Sequence, residues 1–296
     1  MKAISHSNMR RAGKVVNVLP LGLLVPLLFS LWLAGCGGGS DLAVAPTPRL
    51  ESVDNFRDIA GTDDQEAYRT ASGRQLRRGV VYRSNALAPS ASDLATLNTL
   101  GILAVYDLRS PGEIAKKPDI PPAGANYLNI DILGEYIDKI PAPNSAAEAF
   151  AMMESTSRAL VTDPGMRDRL AQLFRALATT GGSQVYHCSA GKDRTGWVTA
   201  VLLSLLDVPQ SVIVQDYLLT NTYSAASIQA SYQALVAAYG KDHADAYLPT
   251  MVADQRYLAA GFDQAAASYG SMAGYITYGL GLDAATQAQL RGKLLR

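Results

Sequence analysis

The chain is 296 residues long, 48% of them apolar, and carries 26 basic and 26 acidic side chains for a formal net charge of zero. An apolar share of this size is ordinary for a globular protein and sufficient for a sizeable core. The charge balance excludes a binder that relies on surplus lysine and arginine, as nucleic-acid-binding domains do.

In chain order, Lys2, Arg10, Arg11 and Lys14 form a basic head without an acid, and an apolar run over residues 15–34 ends in "LAGCGGGS". That is the order of a secretory signal. The run is long enough to span a bilayer, so an uncleaved anchor is the alternative; Pro20, Pro26 and the small-residue ending favour the signal. "LAGC" resembles a bacterial lipoprotein box. The resemblance implies that residues 1–35 are removed and Cys36 is lipidated, with several acyl chains giving stable attachment. Gly37, where an aspartate would retain the protein at the inner membrane, implies the outer membrane, so the expected localisation is exported and lipid-anchored to the cell envelope, or secreted. The leader holds four basic residues and no acid, which leaves 22 basic against 26 acidic in the mature chain. Cys188 is then a lone thiol in a compartment that favours disulfides, which marks it as reactive.

Residues 36–49 read as a flexible tether rich in Gly, Ser and Pro, and residues 50–296 as one domain with no internal repeat. "GVVYR" (79–83), "GILAVYDL" (101–108) and "ANYLNIDIL" (125–133) have the composition of strands. "SASDLATLNTLG" (90–101) reads as a helix with Ser90 or Ser92 at its N-cap and Gly101 past its end. A helical region fills 144–180 with a break at "TDPG" (162–165), and "SQVYH" (183–187) is a short buried strand. "TGWVTAVLLSLLDV" (195–208) is apolar nearly all round and reads as a buried helix. "SVIVQDYLLTN" (211–221), "SAASIQASYQALVAAYG" (224–240) and the Ala-rich remainder are helical. The expected fold is α/β, a central sheet flanked by helices with a helical C-terminal part.

The buried strand runs into "YHCSAGKDRTGW" (186–197), where Cys188 ends the strand and Arg194 opens the helix. Five intervening residues let the loop curl, so that successive N–H groups and the positive helix end point at one spot. A phosphate dianion fits such a field, and so does a thiolate, which makes the cysteine a nucleophile. Arg194 offers a planar fork for two phosphoryl oxygens, while Ser189, Ala190 and Gly191 are small enough for the backbone to approach a ligand. A nucleotide P-loop is excluded, because Tyr186 stands where glycine is needed and Asp193, not Ser or Thr, follows Lys192. A buried structural cysteine before a helix is the plain alternative, and it leaves the Cys-to-Arg spacing, the glycine and His187 unexplained together.

"HCSAGKDRTG" (187–196) fits HC-x-x-G-K-x-R-T-G and resembles the loop of cysteine-dependent tyrosine phosphatases. More narrowly it is similar to the bacterial secreted group, whose mycobacterial members act on phosphotyrosine and phosphoinositides. "NFRDIAG" (55–61), "VYRSNAL" (81–87), "DLRSPGE" (107–113) and "QDYLLTN" (215–221) extend the similarity, and residues from 223 carry none. The resemblance implies a tyrosine-phosphatase-like sheet and hydrolysis without metal or cofactor. It implies that Cys188 attacks phosphorus to form a phosphocysteine while Arg194 and the N–H groups of Ser189, Ala190, Gly191 and Lys192 stabilise the spreading charge. Thr195 is placed to donate a hydrogen bond to the cysteine sulfur, and His187 to orient the loop from behind or simply to fill the core.

The leaving oxygen needs a proton donor. Asp107, Asp131 and Asp163 are candidates outside the loop, although Asp163 in "TDPG" suits a turn or helix start and Asp107 suits an anchor for Arg109. Asp193 is already in the cradle, and the resemblance links the aspartate of "GKDR" to catalysis; a salt bridge shaping the loop is the alternative. Repulsion from a bound dianion would favour its protonated form. Lys192 reads as extra charge at the rim, suited to a substrate with more than one phosphate, or as a solvated lysine. Arg57, Asp58, Arg83, Arg109 and Glu113 read as ion pairs bracing the cradle, with Arg57 and Arg109 open to substrate contact. The expected partners are a phosphorylated protein or phosphoinositide and, through the lipid, a membrane; no nucleic acid is expected. A rhodanese-like sulfurtransferase and a non-catalytic phospho-ligand module are the alternatives.

Overall fold

In chain order the strands are β1 (Arg57–Asp58), β2 (Val81–Ser84), β3 (Ile102–Asp107), β4 (Asn126–Asn129) and β5 (Ser183–His187). The helices are α1 (Ala91–Asn98), α2 (Pro111–Lys116), α3 (Ala146–Thr162), α4 (Pro164–Thr179), α5 (Asp193–Leu205), α6 (Gln210–Tyr223), α7 (Ala225–Tyr239), α8 (Lys241–Met251), α9 (Gln255–Tyr269), the single turn α10 (Met272–Gly274) and α11 (Ala284–Leu294). This computed structural model describes residues 44–63 and 65–296. The leader, Cys36 and the tether up to residue 43 lie outside the described residues.

The strands form one sheet in the order β1-β2-β5-β3-β4. β2, β5, β3 and β4 run parallel, and β1 pairs antiparallel with β2 along one edge. Side chains alternate across a strand, and the two faces bury separate cores. Tyr82, Val105 and Val185 pack with Leu50, Val53, Phe56 and Leu97 on one face. Val81, Ala104, Tyr106 and Tyr186 face the larger core, built with α4, α5, α9 and α11. The expected α/β architecture is therefore observed, with helical cover on both faces.

Local chemistry explains the element ends. Ser90 is the N-cap of α1 and accepts from Asp93 N at 3.2 Å, as one of the two serines considered from sequence. Asp163 ends α3 and caps α4, accepting from Met166 N at 2.9 Å, with Pro164 at the first helical position. It therefore marks the helix break, the turn or helix-start role considered from sequence. "ANYLNIDIL" holds only the four-residue edge strand β4. α5 begins two residues earlier than its apolar pattern, at Asp193, and buries eleven residues, among them Trp197, Val198, Val201 and Leu202. Burying such a side chain is worth about 1.5–3 kcal/mol, so α5 is fixed by burial on every side. Helices α6 to α11 account for the C-terminal part, in which α3 packs against α8 and α9.

Candidate active site

Parallel pairing places the C-terminal ends of β2, β5 and β3 at one edge of the sheet, with β5 in the middle. The quoted segments "VYRSNAL", "HCSAGKDRTG" and "DLRSPGE" leave those ends in turn. Ligands of open α/β sheets bind at this edge, and three segments far apart in sequence converge there.

The loop from Cys188 to the start of α5 is buried at Cys188 and Gly191 and exposed at Ser189 and Ala190. Gly191 has φ of +66°, and a Cβ on it would come within 2.4 Å of Ser84 O, a backbone atom. Only glycine fits this turn. The carbonyl of Gly191 is turned away from the cradle, accepting from Asn55 Nδ2 at 2.6 Å and Arg83 Nη2 at 2.7 Å. The N–H groups of residues 189–192 are taken by no acceptor among the described residues. With the N-terminus of α5 beside them they form an anion-binding concavity.

Arg194 is held rather than loose. Its Nη1 donates to Glu113 Oε2 at 2.7 Å and to Leu108 O at 3.2 Å, and its Nη2 donates to Glu113 Oε1 at 2.6 Å. Of the five guanidinium donors, Nε–H and one Nη2–H remain, which is one two-pronged edge. Burial opposes ionisation of Glu113, yet the hydrogen bonds and charge of Arg194 overcome it and hold this carboxyl down at about 2. The same carboxylate accepts from Ser110 N and completes the capping box of α2, so α2 and the arginine share one anchor.

Behind the loop, Asp216 on α6 is buried between Arg57 and Arg83, with Oδ1 3.1 Å from Arg57 Nε and Oδ2 3.1 Å from Arg83 Nη1. Burial alone would raise its pKa, but the two arginines pull it below the usual carboxylate range. Arg83 is lowered to about 10 by burial first and then by Arg57. Arg57 also donates to the side chain of Asn55. Both arginines therefore brace the loop, and Arg57 does not reach the cradle. Asp58 lies away from them and accepts from Ala60 N and Gly79 N, at the opposite end of β2.

A second buried cluster lies behind β5. Arg109 donates to Asp107 through Nε at 2.8 Å and Nη2 at 2.7 Å, and Nη2 also lies 2.8 Å from Asp119 Oδ1. His187 is fully buried, with Nε2 2.9 Å from Asp119 Oδ2 and Nδ1 3.3 Å from Cys188 O. It thus sits against the base of the loop. Asp107, Asp119 and His187 bring three potential ligand atoms within 4.8 Å of one another. The guanidinium of Arg109 stands among them, so the chain supplies its own cation there. Asp107 is committed to Arg109 and Tyr127, and Asp131 accepts from Gly134 N in a turn. Asp107 and Arg109 are thus engaged with each other and their neighbours, and Asp131 with its own turn.

Two expectations about the loop meet a different geometry. Lys192 is not a rim lysine: it is 1% exposed, and its Nζ donates to the carbonyls of Thr250 and Val252 at the α8–α9 junction. Burial depresses the ammonium. Thr195 Oγ1 is buried and has no hydrogen-bond partner among the described residues, so it makes no bond to the Cys188 sulfur. Asp193 remains one-third exposed at the helix start, with Oδ1 3.7 Å from Lys192 Nζ and 3.5 Å from the buried Tyr217 hydroxyl. Of all the aspartates considered, it is the one at the cradle.

Asn55, Asp119, Asp216 and Tyr217 were not expected from sequence as site residues. Asn55, Asp216 and Tyr217 sit inside "NFRDIAG" and "QDYLLTN", so the segments signalled them; nothing in the sequence around Asp119 does.

A parallel sheet that delivers a cysteine, four free backbone donors and an anchored arginine to one edge defines an anion-binding enzyme class that acts on phosphoesters. The chain belongs to the tyrosine phosphatase family, whose profile matches residues 48–296, and it is a hydrolase of the protein-tyrosine phosphatase type. A Cupriavidus necator protein assigned as a tyrosine-protein phosphatase is 34% identical over 276 residues, covering 89% of this chain and 98% of that one. The triple specificity protein phosphatase PtpB of Mycobacterium tuberculosis is 29% identical over 286 residues, covering 81% and 96%. A tyrosine-protein phosphatase of Nostoc commune is 31% identical over 140 residues, 45% of either chain. Family membership sets aside the sulfurtransferase and the non-catalytic module.

Proposed function

We propose that the chain hydrolyses phosphomonoesters through a phosphocysteine, with Cys188 as nucleophile. The observation that supports this most is the pairing of the free N–H groups of residues 189–192 with an Arg194 whose remaining donor edge is presented by Glu113. The sulfur of Cys188 attacks phosphorus, and the P–O bond to the leaving group breaks as Asp193 gives its proton to the departing oxygen. Arg194 and the loop amides carry the charge that spreads over the equatorial oxygens. Water, deprotonated by Asp193, then attacks phosphorus, and phosphate leaves with Cys188 restored as thiolate.

Phosphotyrosine is the proposed substrate, extending to phosphoserine/threonine and phosphoinositides. The name of the mycobacterial relative, which states triple specificity, supports that breadth. The leader and "LAGC" support export and lipid attachment at Cys36, and Cys36→Ala should abolish incorporation of a labelled fatty acid into the protein; label retained by the variant would rule out this anchor. For the chemistry, Cys188→Ser should abolish release of phosphate from an aryl phosphate, and persistent turnover would refute the mechanism. Asp193→Asn should slow substrates with poor leaving groups far more than those with good ones. An equal loss for both would leave Asp193 a structural part.

A further inference from the structure

A second set of polar groups borders the loop. The cavity beside it, about 310 Å³, is lined by Ser189 and Ala190 of the loop together with Asn85, Thr220 and Ser224. Asn85 is 7% and Ser224 8% exposed, yet neither Asn85 Oδ1 nor Ser224 Oγ has a hydrogen-bond partner among the described residues. Buried polar atoms are nearly always paired, because an unpaired one loses water without recompense. Ser224 stands at the N-cap of α7, where a serine ordinarily accepts from the helix's own N–H groups, and it makes no such bond. Asn85 is pinned to the loop, since its N–H donates to Asp54 O at 3.0 Å and the next N–H, of Ala86, donates to Ser189 O at 3.2 Å. Both side chains therefore border the space next to the phosphate cradle, where the alcohol part of an ester lies.

The charge of this wall narrows the ligand. Asp54 lines the same cavity and accepts from Ser227 Oγ on α7. Lys192, the cation expected at the rim, spends its ammonium on the carbonyls of Thr250 and Val252. Lys117 lines the cavity too, with an exposed side chain. A second phosphate there would meet the Asp54 carboxylate, and the ammonium not spent on carbonyls is the solvent-exposed one of Lys117, where an ion pair is worth little.

We propose that Asn85 and Ser224 form a leaving-group subsite for a neutral, hydroxyl-bearing alcohol, so that among alkyl esters the monophosphate of a polyol is favoured over that of a plain alcohol. This rests on the reading of residues 188–194 as the place of ester cleavage, and it narrows the substrates of that reaction. A hydroxyl beside the ester carbon donates to Asn85 Oδ1 and accepts from Ser224 Oγ. A plain hydrocarbon ring leaves both atoms unpaired in the complex. A free polyol phosphate and the headgroup of a phosphoinositide share the hydroxyl chemistry, and the vesicle arm of the test distinguishes them.

The test compares kcat/KM of the full chain for myo-inositol 1-phosphate and cyclohexyl phosphate, two secondary esters of the same ring size. The polyol should be preferred by about tenfold or more, the equivalent of one or two well-made hydrogen bonds. Ser224→Ala and Asn85→Ala should each cut that ratio by about tenfold; a ratio is insensitive to the fraction of folded protein. A ratio near one in the unmutated chain, or one that survives both substitutions, overturns the subsite. Faster turnover of phosphatidylinositol 3-phosphate in phosphatidylcholine vesicles than of the free inositol ester names the lipid headgroup as the source, and it overturns the subsite if neither substitution slows it. Aryl phosphate turnover surviving Cys188→Ser would instead overturn the underlying mechanism.

Discussion

Glu113 carries more of the site than any other residue outside the loop. It holds Arg194 by two hydrogen bonds, accepts from Ser189 Oγ and caps α2. Charge-assisted bidentate pairs are both strong and geometrically strict, so Glu113→Gln should lower kcat/KM about ten- to hundredfold, the equivalent of about 1.4–2.8 kcal/mol. The pH dependence has a definite sign. The folded-state pKa of Glu113 is depressed from 4.5 to about 2, so the stabilisation is complete above the unfolded value and lost as pH falls through the folded one. Urea midpoints of the unmutated chain should therefore drop more steeply between pH 4.5 and 2 than those of Glu113→Gln. Parallel slopes would show that the carboxylate is not held by Arg194.

Among the elements, the loop and the α8–α9 junction are stitched by one side chain. Lys192 reaches two backbone carbonyls there, and its ammonium lies 5.6 Å from the centre of the Tyr257 ring. Lys192→Met would leave those carbonyls without their donor, a loss of about 1–3 kcal/mol, which lowers Tm by several degrees in a domain of this size. The preference for one phosphate over two should not move. A change in that preference with Tm intact would return the lysine to the substrate. This is also where the sequence was least legible. "GK" names a cation but not its partner, and the partner is a pair of carbonyls some 60 residues later in a segment without a recognisable pattern. Strands β2, β3 and β5, part of β4, the capped starts of α1 and α4 and the buried α5 were legible, because composition and caps act locally; the two-residue edge strand β1 was not. Asp119 and Asp216 were not, since what defines them is convergence of distant arginines in the folded sheet.

For the whole molecule, the segment just after residue 43 is part of the domain and not only a tether. Arg78, buried, donates to Val44 O, Ala45 O and Thr47 Oγ1, and Arg49 lies 4.2 Å over the Tyr223 ring at the end of α6. A chain starting at residue 44 should unfold like one carrying the leader-side segment. Removal of residues 44–49 should cost about 2–4 kcal/mol, because a buried guanidinium loses three acceptors. Coincident denaturation curves for the two truncations would show that the strap is dispensable.

The position of that strap has a mechanical consequence. Arg78 and Gly79 lie just before β2, whereas Ser84, at its other end, abuts Gly191. Tension arriving along the backbone from the N-terminal side is taken up in shear by the Arg78 clamp and by the Thr47 N–H bond to Thr62 O, a strand's length from the loop. The cradle is thereby isolated from a pull applied at residue 44, and a domain hauled from that end keeps Cys188 and Arg194 unloaded until the clamp gives way.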